Sequence, residues 1–467
     1  MSDITSSSPS TPTTAAPSAR NAPLPRLYSS VWRWHFYAGL IVLPFMVLLA
    51  VTGSLYLFKD EINTLVYGDL LRVEATGAPM LAPTQIVAKA LAEHPGTLKG
   101  FRPSATPDEA AQVSIRDDDG LSDVIYVNPY DGAVLGSLWD GGAAGSPVMY
   151  VVRKLHSLDY VGWWANRIIE AVAGWAVLLV ITGIYLWWPR GRKVGRFKIR
   201  SATSGRPWWR DLHAVTGIYT SVFILFFAFT GLPWSGVWGD QFYKLAYAAG
   251  LGIPDGYWDK FPVSTVPVAQ ALDRSPWIME QQPMPVSKTA PGIGVKPASL
   301  DQITATVEGA GIAKGYAIAV PTSPDGVFTA SVYPDDVRKE RVVHLDQYSG
   351  KILFDMGLAE LGALGAAAEW GVSLHMGQQF GLLNQLVLLA ACIAIMTMAV
   401  SAIVIWWKRR PAGGFGAPRV PADFRVPPAV FVIAIACGIF FPLVGLSLIV
   451  VAIIELVLGV AKRVRAA

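Results

Sequence analysis

The chain has 467 residues, 15% of them charged, with a formal net charge of +4 and a mean hydropathy of +0.40. So few charges, with the apolar residues gathered into runs of about 20, exclude an ordinary soluble domain and indicate spans of a hydrocarbon core ~30 Å thick. The small basic excess records loops beside the spans and carries no nucleic-acid inference. Cys392 and Cys437 both lie in apolar runs and offer neither a disulfide framework nor a metal-binding cysteine pair.

Residues 1–34 are rich in Ser, Thr, Pro and Ala, lack a signal-peptide apolar region, and read as a disordered cytoplasmic tail. A first span is predicted at 35–58, an outside domain at 59–150, and a histidine segment with the second span at 151–188. A basic loop at 189–212 leads to a third span at 213–235 and a second outside domain at 236–370. Residues 371–407 hold another histidine segment and the fourth span, and 408–428 form a loop. A last apolar segment at 429–460 is too long for one upright crossing, and Pro442 marks either a kink or a hairpin turn.

Basic residues set the expected orientation. Arg190, Arg192, Lys193, Arg196, Lys198, Arg200, Arg206 and Arg210 crowd the loop after the second span, and Lys408, Arg409 and Arg410 follow the fourth. The positive-inside rule places both loops and the N-terminus in the cytoplasm. The outside domains then lie in the periplasm of a bacterial inner-membrane protein.

The chain reads as an internal duplication. A shift of 219 overlays His156 on His375, Gly162 on Gly381, Trp187 and Trp188 on Trp406 and Trp407, and Arg190 on Arg409. A shift of 178 overlays His35 on His213, Gly39 on Gly217, Thr52 on Thr230 and Gly53 on Gly231. The outside domains match too. "VIYVNPYDGAVLG" (124–136) resembles "VVHLDQYSGKILF" (342–354), and both read as hairpins. A helical pattern precedes each, at 83–95 and 299–311, so each domain is expected to be a small α+β unit.

Of six histidines, His94 and His344 read as ordinary domain residues. His35, His156, His213 and His375 stand at span edges, where ionisable groups are costly and usually functional. Topology pairs His35 with His213 at the cytoplasmic side and His156 with His375 at the external side. Two facing imidazoles in a helix bundle suit a six-coordinate haem iron, and Gly39 and Gly217, one turn on, would leave room for the macrocycle. Zinc or copper would want three or four ligands at one level. A proton relay is the competing use, with Glu170 the one buried acid noted in the spans. Without a CxxCH motif, haem would be held non-covalently, as haem b. Arg33, Arg153, Lys154 and Arg210 stand just before the histidines, as propionate partners or as snorkelling anchors. From His156 to Trp188, ~48 Å of continuous helix would lift the outer site above the hydrocarbon core unless the chain bends near Gly162 and Gly381.

"RWHFYAGL", "KLHSLDYVG", "DLHAVTGIY" and "SLHMGQQFG", with "ITGIYLWWPR", resemble the PepSY-associated transmembrane family, which includes inner-membrane ferric-siderophore reductases of the FoxB type. The resemblance covers about residues 30–410. It implies PepSY-like outside domains and two haems b ligated by His35/His213 and His156/His375. It also implies electron transfer to a ferric siderophore or other ferric chelate in the periplasm. The expected fold is a four-helix haem-binding bundle built from a tandem repeat, with two α+β domains and a C-terminal apolar segment.

No Gly-rich dinucleotide motif follows a strand, so a quinol or a cytosolic reductase is the expected electron donor. Trp234, Trp238, Tyr257 and Trp258 follow the third span on the external side, as belt residues or as a stacking wall for the chelate. Two rival readings are an anchor for PepSY domains that bind peptides or restrain a peptidase, and an iron or siderophore transporter.

Overall fold

The computed structural model describes residues 26–142, 145–188, 197–199, 205–252, 263–267, 283–287, 296–410 and 428–466. The Ser/Pro-rich stretch before Arg26, most of the basic loop, the linker 411–427, Tyr257 and Trp258 lie outside them.

Four helices are long and apolar enough to cross a membrane: Leu27–Leu57, Trp163–Trp187, Arg206–Trp234 and Leu382–Arg409. Their parent helices are α1 (Arg26–Leu57), α5 (Trp163–Trp187), α6 (Arg206–Gly231) and α10 (Leu382–Arg409). They pack in a ring in which α1 touches α5, α5 touches α6, α6 touches α10 and α10 touches α1. The chain is thus a membrane protein with a four-helix bundle. Helix α1 starts at Arg26, well before residue 35, and already includes Trp32, Arg33 and Trp34. His35 therefore lies inside a span rather than at its start.

Buried small and apolar residues fill the bundle: Ala50, Ala176, Val180, Ile224, Cys392 and Ile395 form one cluster. Both cysteines are free. Gly39 and Gly217 each face one neighbouring side chain at ordinary contact distance. A Cβ on Gly39 would stand 3.8 Å from Leu179 Cδ2, and one on Gly217 3.5 Å from Met398 Cε, so neither position demands glycine for helix packing.

Short helices lead into each span pair. α2 (Lys59–Leu71) follows α1, and α7 (Trp238–Ala248) follows α6. α4 (Pro147–Ser157) precedes α5, and α9 (Ala363–His375) precedes α10. The predicted bend is present at both joints. Leu158 takes φ 57° and Gly162 φ 119° between α4 and α5, and Gly377 φ 76° and Gly381 φ 54° between α9 and α10. These conformations favour glycine, and they detach the histidine segments from the spans.

Beyond the spans, the two expected domains are joined edge to edge. One antiparallel sheet of eight strands runs β10-β9-β8-β7-β1-β2-β3-β4. Its first four strands in sequence are β1 (Thr97–Arg102), β2 (Ala111–Arg116), β3 (Ser122–Val127) and β4 (Val134–Trp139). The others in this sheet are β7 (Ala317–Ala319), β8 (Val327–Val332), β9 (Arg341–Asp346) and β10 (Ile352–Gly357). β1 meets β7 through Gly100↔Ala319 and Phe101↔Ile318. A separate pair, β5 (Val263–Pro267) and β6 (Pro283–Pro285), lies elsewhere. Both predicted hairpins are found as β3–β4 and β9–β10. Asn128 and Asp346 close them by accepting the N–H of Tyr130 and Tyr348, and Gly132 and Gly350 supply positive φ.

Helices α3 (Pro83–Glu93) and α8 (Leu300–Gly309) cover one sheet face, with Ile86, Val87, Ile303 and Val307 in a core with Val113, Ile125, Ala330 and Val343. Asp301 ties the two helices by accepting from the Thr84 N–H at 2.8 Å and its hydroxyl at 2.6 Å. On the opposite face, α2 packs against Val124 and Tyr126, and α7 against Val342, Phe354 and Met356. The helices that continue α1 and α6 thereby hold the sheet over one end of the bundle.

The C-terminal segment is a tight helical hairpin, α11 (Pro428–Phe440) and α12 (Pro442–Ala466). Gly438 and Gly445 pack so closely that a Cβ on either would stand 2.9 Å from the other's Cα. Phe441 and Val444 seat the hairpin against Val177 of α5.

Candidate functional site

The four span-edge histidines fall at two levels of the bundle. His35 on α1 and His213 on α6 stand near the end that carries the basic residues, and an electrostatic interaction links them. His156 on α4 and His375 on α9 stand near the sheet, and their charges are likewise coupled. The structure thus groups the histidines into the two pairs expected from topology.

The depth of the sheet-side pair removes the objection raised by helix length. His156 shares a hydrogen bond of 2.8 Å with Thr52 of α1, and His375 one of 2.7 Å with Thr230 of α6. Thr52 lies 17 residues beyond His35, and Thr230 lies 17 beyond His213. That is ~25 Å of helix, so both levels sit within the length of the spans. The bends at Gly162 and Gly381 let α4 and α9 turn back onto the bundle.

The basic-side pair is held in the same manner. His35 Nδ1 is 2.9 Å from the Thr182 hydroxyl of α5, and His213 Nδ1 is 3.1 Å from the Ser401 hydroxyl and 3.2 Å from the Met398 carbonyl of α10. In all four rings the atom engaged is Nδ1. No hydrogen bond engages Nε2 in any of them among the described residues. Each histidine is surrounded by helices yet only half-buried, so it keeps an accessible flank.

Electrostatics at the sheet-side pair favours neutral rings. Burial pushes the His156 imidazole down to about 4. Burial, and then the nearby His156 charge, push His375 down to about 3. Neutral imidazole with a free nitrogen is the form that ligates a metal.

These observations test whether the residues fit two haems. Two histidines per level, with Nδ1 taken and Nε2 unengaged, match the donor set of a bis-imidazole iron. The residues fit. Among the described residues, no three of His, Cys, Asp and Glu gather as a zinc-type site would need.

The basic neighbours are placed differently from one another. Lys154 pairs with Asp159 at 3.3 Å, and Arg210 with Asp211 at 3.2 Å. The Arg33 guanidinium lies 6.0 Å from the Tyr37 ring centre, and Arg153 is exposed. Glu170, the acid considered for a proton relay, caps a helix. Its carboxylate accepts the N–H groups of Val237 and Trp238 at 3.0 and 2.8 Å, at the start of α7. Of the proposed aromatic wall, Trp238 stacks on Phe242 at 5.3 Å and meets Phe440 of the hairpin edge-on, and Trp234 is exposed.

His94 caps α3 through its backbone N–H, donated to Ala90. His344 is fully buried in the sheet, with Nδ1 2.8 Å from the Thr329 hydroxyl and Nε2 sealed without a partner. The residues that sequence reasoning missed are the hydroxyls Thr52, Thr182, Thr230 and Ser401. Their signal was available: "VTG", "ITG" and "FTG" recur in three spans, and "VSA" stands at the matching place in the fourth.

A bundle of four spans with two stacked histidine pairs, capped by a helix-backed sheet, defines a class of membrane protein. Residues 32–409 match the family described as the PepSY-associated TM region, and the chain belongs to that family. No curated protein matches the chain.

Proposed function

We propose that this chain is a di-haem b oxidoreductase of a bacterial inner membrane. In this reading it carries electrons across the membrane to a ferric chelate on the sheet side, as a ferric-siderophore reductase in iron acquisition. The observation that carries the reading is the shared geometry of the four histidines, each with Nδ1 held by the protein and Nε2 left for a ligand. His35 and His213 would hold one haem, and His156 and His375 the other. When bound, haem supplies a one-electron Fe(III)/Fe(II) couple at each level.

The chain's own residues do the remaining work. The bundle helices surround each imidazole and hold it by Nδ1. The bends at Gly162 and Gly381 bring the second pair down to the depth of Thr52 and Thr230. The basic residues of the loops support the orientation of this reading, with the sheet on the periplasmic side. Reduction of the chelated Fe(III) to Fe(II) weakens its hold by hard oxygen ligands, so the siderophore releases iron intact. Electrons come from a quinol or a cytosolic reductase, since the sequence offers no dinucleotide motif.

The test is a reduced-minus-oxidised spectrum of protein purified after haem-supplemented expression, with a haem-to-protein ratio. About two bis-histidine haems per chain are expected. A haem-free, folded preparation would overturn the reading in favour of a membrane anchor for the sheet domain.

A further inference from the structure

Each histidine of the bundle faces a two-residue element on another helix. Thr52–Gly53 serves His156, Thr182–Gly183 serves His35, and Thr230–Gly231 serves His375. In each, the hydroxyl meets Nδ1 while the glycine lies against the Cε1 edge of the same ring. A Cβ on Gly53 would stand 3.7 Å from His156 Cε1, one on Gly183 3.2 Å from His35 Cε1, and one on Gly231 3.8 Å from His375 Cε1. The fourth histidine, His213, meets Ser401, which is followed in the sequence by alanine rather than glycine.

The direction of these hydrogen bonds follows from proton counting. A hydroxyl has one proton to donate. Thr52 donates it to the Leu48 carbonyl at 2.7 Å, Thr182 to Leu178 at 2.7 Å, Thr230 to Phe226 at 2.6 Å and Ser401 to Met398 at 2.8 Å. With that proton spent, the hydroxyl can only accept from the ring. Nδ1 therefore carries the imidazole proton, and the Nε2 lone pair is exposed. At His213 the same conclusion follows independently, because the second partner of Nδ1 is the Met398 carbonyl, which can only accept.

We infer that the dyads Thr52–Gly53, Thr182–Gly183 and Thr230–Gly231, with Ser401–Ala402 as their variant, are the positioning elements of the four histidines. The hydroxyl selects the tautomer that presents Nε2. At Gly183 the missing Cβ lets His35 seat closely, since a Cβ there would stand 3.2 Å from the ring, whereas at Gly53 and Gly231 a Cβ would make ordinary contact. A hydroxyl relaying to a helix carbonyl also pulls on the Nδ1 proton and raises the donor strength of Nε2. The Ser–Ala variant makes the His213 seat unlike the other three, since its Nδ1 proton is shared between a hydroxyl and a carbonyl. This assignment rests on the haem reading for its redox consequence, but not for the tautomer.

Two measurements separate the assignment from that reading. In haem-free protein labelled at histidine nitrogen, NMR should report the Nδ1–H tautomer for His35, His156 and His375. Thr182→Val, which keeps the shape and deletes the hydroxyl, should convert His35 alone to a mixture. In haem-loaded protein, Thr182→Val should weaken haem retention at the His35/His213 site about 10- to 100-fold and move its midpoint potential upward, with Thr182→Ser restoring both. Gly183→Ala should weaken the same site while leaving the tautomer unchanged. An Nε2–H tautomer in the parent, or a Thr182→Val site with parental haem affinity and potential, would overturn the assignment. Absence of haem from the parent would sink the haem reading and leave the tautomer result standing.

Discussion

The two histidine pairs reach the same ring contacts by different routes. His35 and His213 ride directly on long spans, and their partners Thr182 and Ser401 are on neighbouring spans. Their geometry is set wherever the bundle is packed. His156 and His375 ride on short helices outside the spans, each joined to its span by residues with positive φ. Their geometry depends on a bend as well as on packing. The basic-side site should therefore be as robust as the bundle, and the sheet-side site more easily lost. His344 adds a useful control. It has the same Nδ1–threonine contact but is wholly buried with Nε2 sealed, so a hydroxyl partner alone does not make a ligand site.

The largest effect should come from removing one ligand at each level. His213→Ala should lose the basic-side haem and His375→Ala the sheet-side haem, each leaving about one haem where the parent holds about two. The double variant His35→Ala/His213→Ala should lose no more than His213→Ala. Haem-to-protein ratios decide the point. A folded double variant devoid of haem would mean that the pairs are crossed.

Much of this was legible in the sequence, and for identifiable reasons. The spans follow from apolar length, and the histidine pairs from two shifts, 178 and 219, that overlay the halves. Both hairpins were readable from Asn128, Gly132, Asp346 and Gly350, because turn chemistry is local. The bend at Gly162 and Gly381 was posed as a need but not shown, since glycine permits a positive φ without requiring it. The union of the outside domains into one sheet was not legible. It rests on two pairings of short strands, Gly100↔Ala319 and Phe101↔Ile318, which no local pattern announces. Thr52 and Thr230 were overlaid but assigned no role, and Thr182 and Ser401 were passed over, because these hydroxyls meet the histidines only once the helices are packed.

The next effect tests the bend. Gly162 has φ 119° and ψ 170°, a conformation nearly reserved for glycine, and Gly381 has φ 54° with open space around its Cα. Gly162→Ala should cost about 1–3 kcal/mol locally. Gly381→Ala, at φ 54° and ψ −139°, should likewise cost about 1–3 kcal/mol. Both should loosen the sheet-side haem while the basic-side haem keeps its spectrum and potential. Equal losses at the two levels would show that the bend is not what distinguishes them.

A third test uses acid. Burial pushes the His344 imidazole down to about 3, well below the usual histidine range, so the unfolded chain takes up a proton there before the folded one does. Stability from this residue is then full above pH ~6.5 and declines as pH falls toward ~3, by at most about 1.4 kcal/mol per pH unit. Denaturant unfolding of the haem-free protein at pH 7 and pH 5 measures this. The parent should lose more stability between the two than His344→Leu does. Identical losses would show that His344 is not a buried neutral ring, and the contrast with the bundle histidines would fail.

The smallest effect concerns Lys154, two residues before His156. Its ammonium lies 3.3 Å from Asp159 and 5.5 Å from the Tyr150 ring centre, and about a third of each charged side chain is exposed. Both partners flank the bend, so the pair braces the turn between α4 and α5. A pair this accessible is worth about 0–1 kcal/mol. Lys154→Met and Asp159→Asn should each lower stability by less than about 1 kcal/mol, and the double variant by no more than either alone. Haem content should be unchanged in all three. The alternative, that Lys154 holds a carboxylate of the sheet-side haem, predicts a different pattern. Lys154→Met would then release that haem, while Asp159→Asn, by freeing the ammonium, would hold it more tightly. Haem retention at increasing salt distinguishes the two, because an ammonium–carboxylate contact with haem would weaken as exposed charges are screened. The bracing pair instead leaves haem retention flat with salt, and Lys154 is then a support of the bend and not a ligand-binding residue.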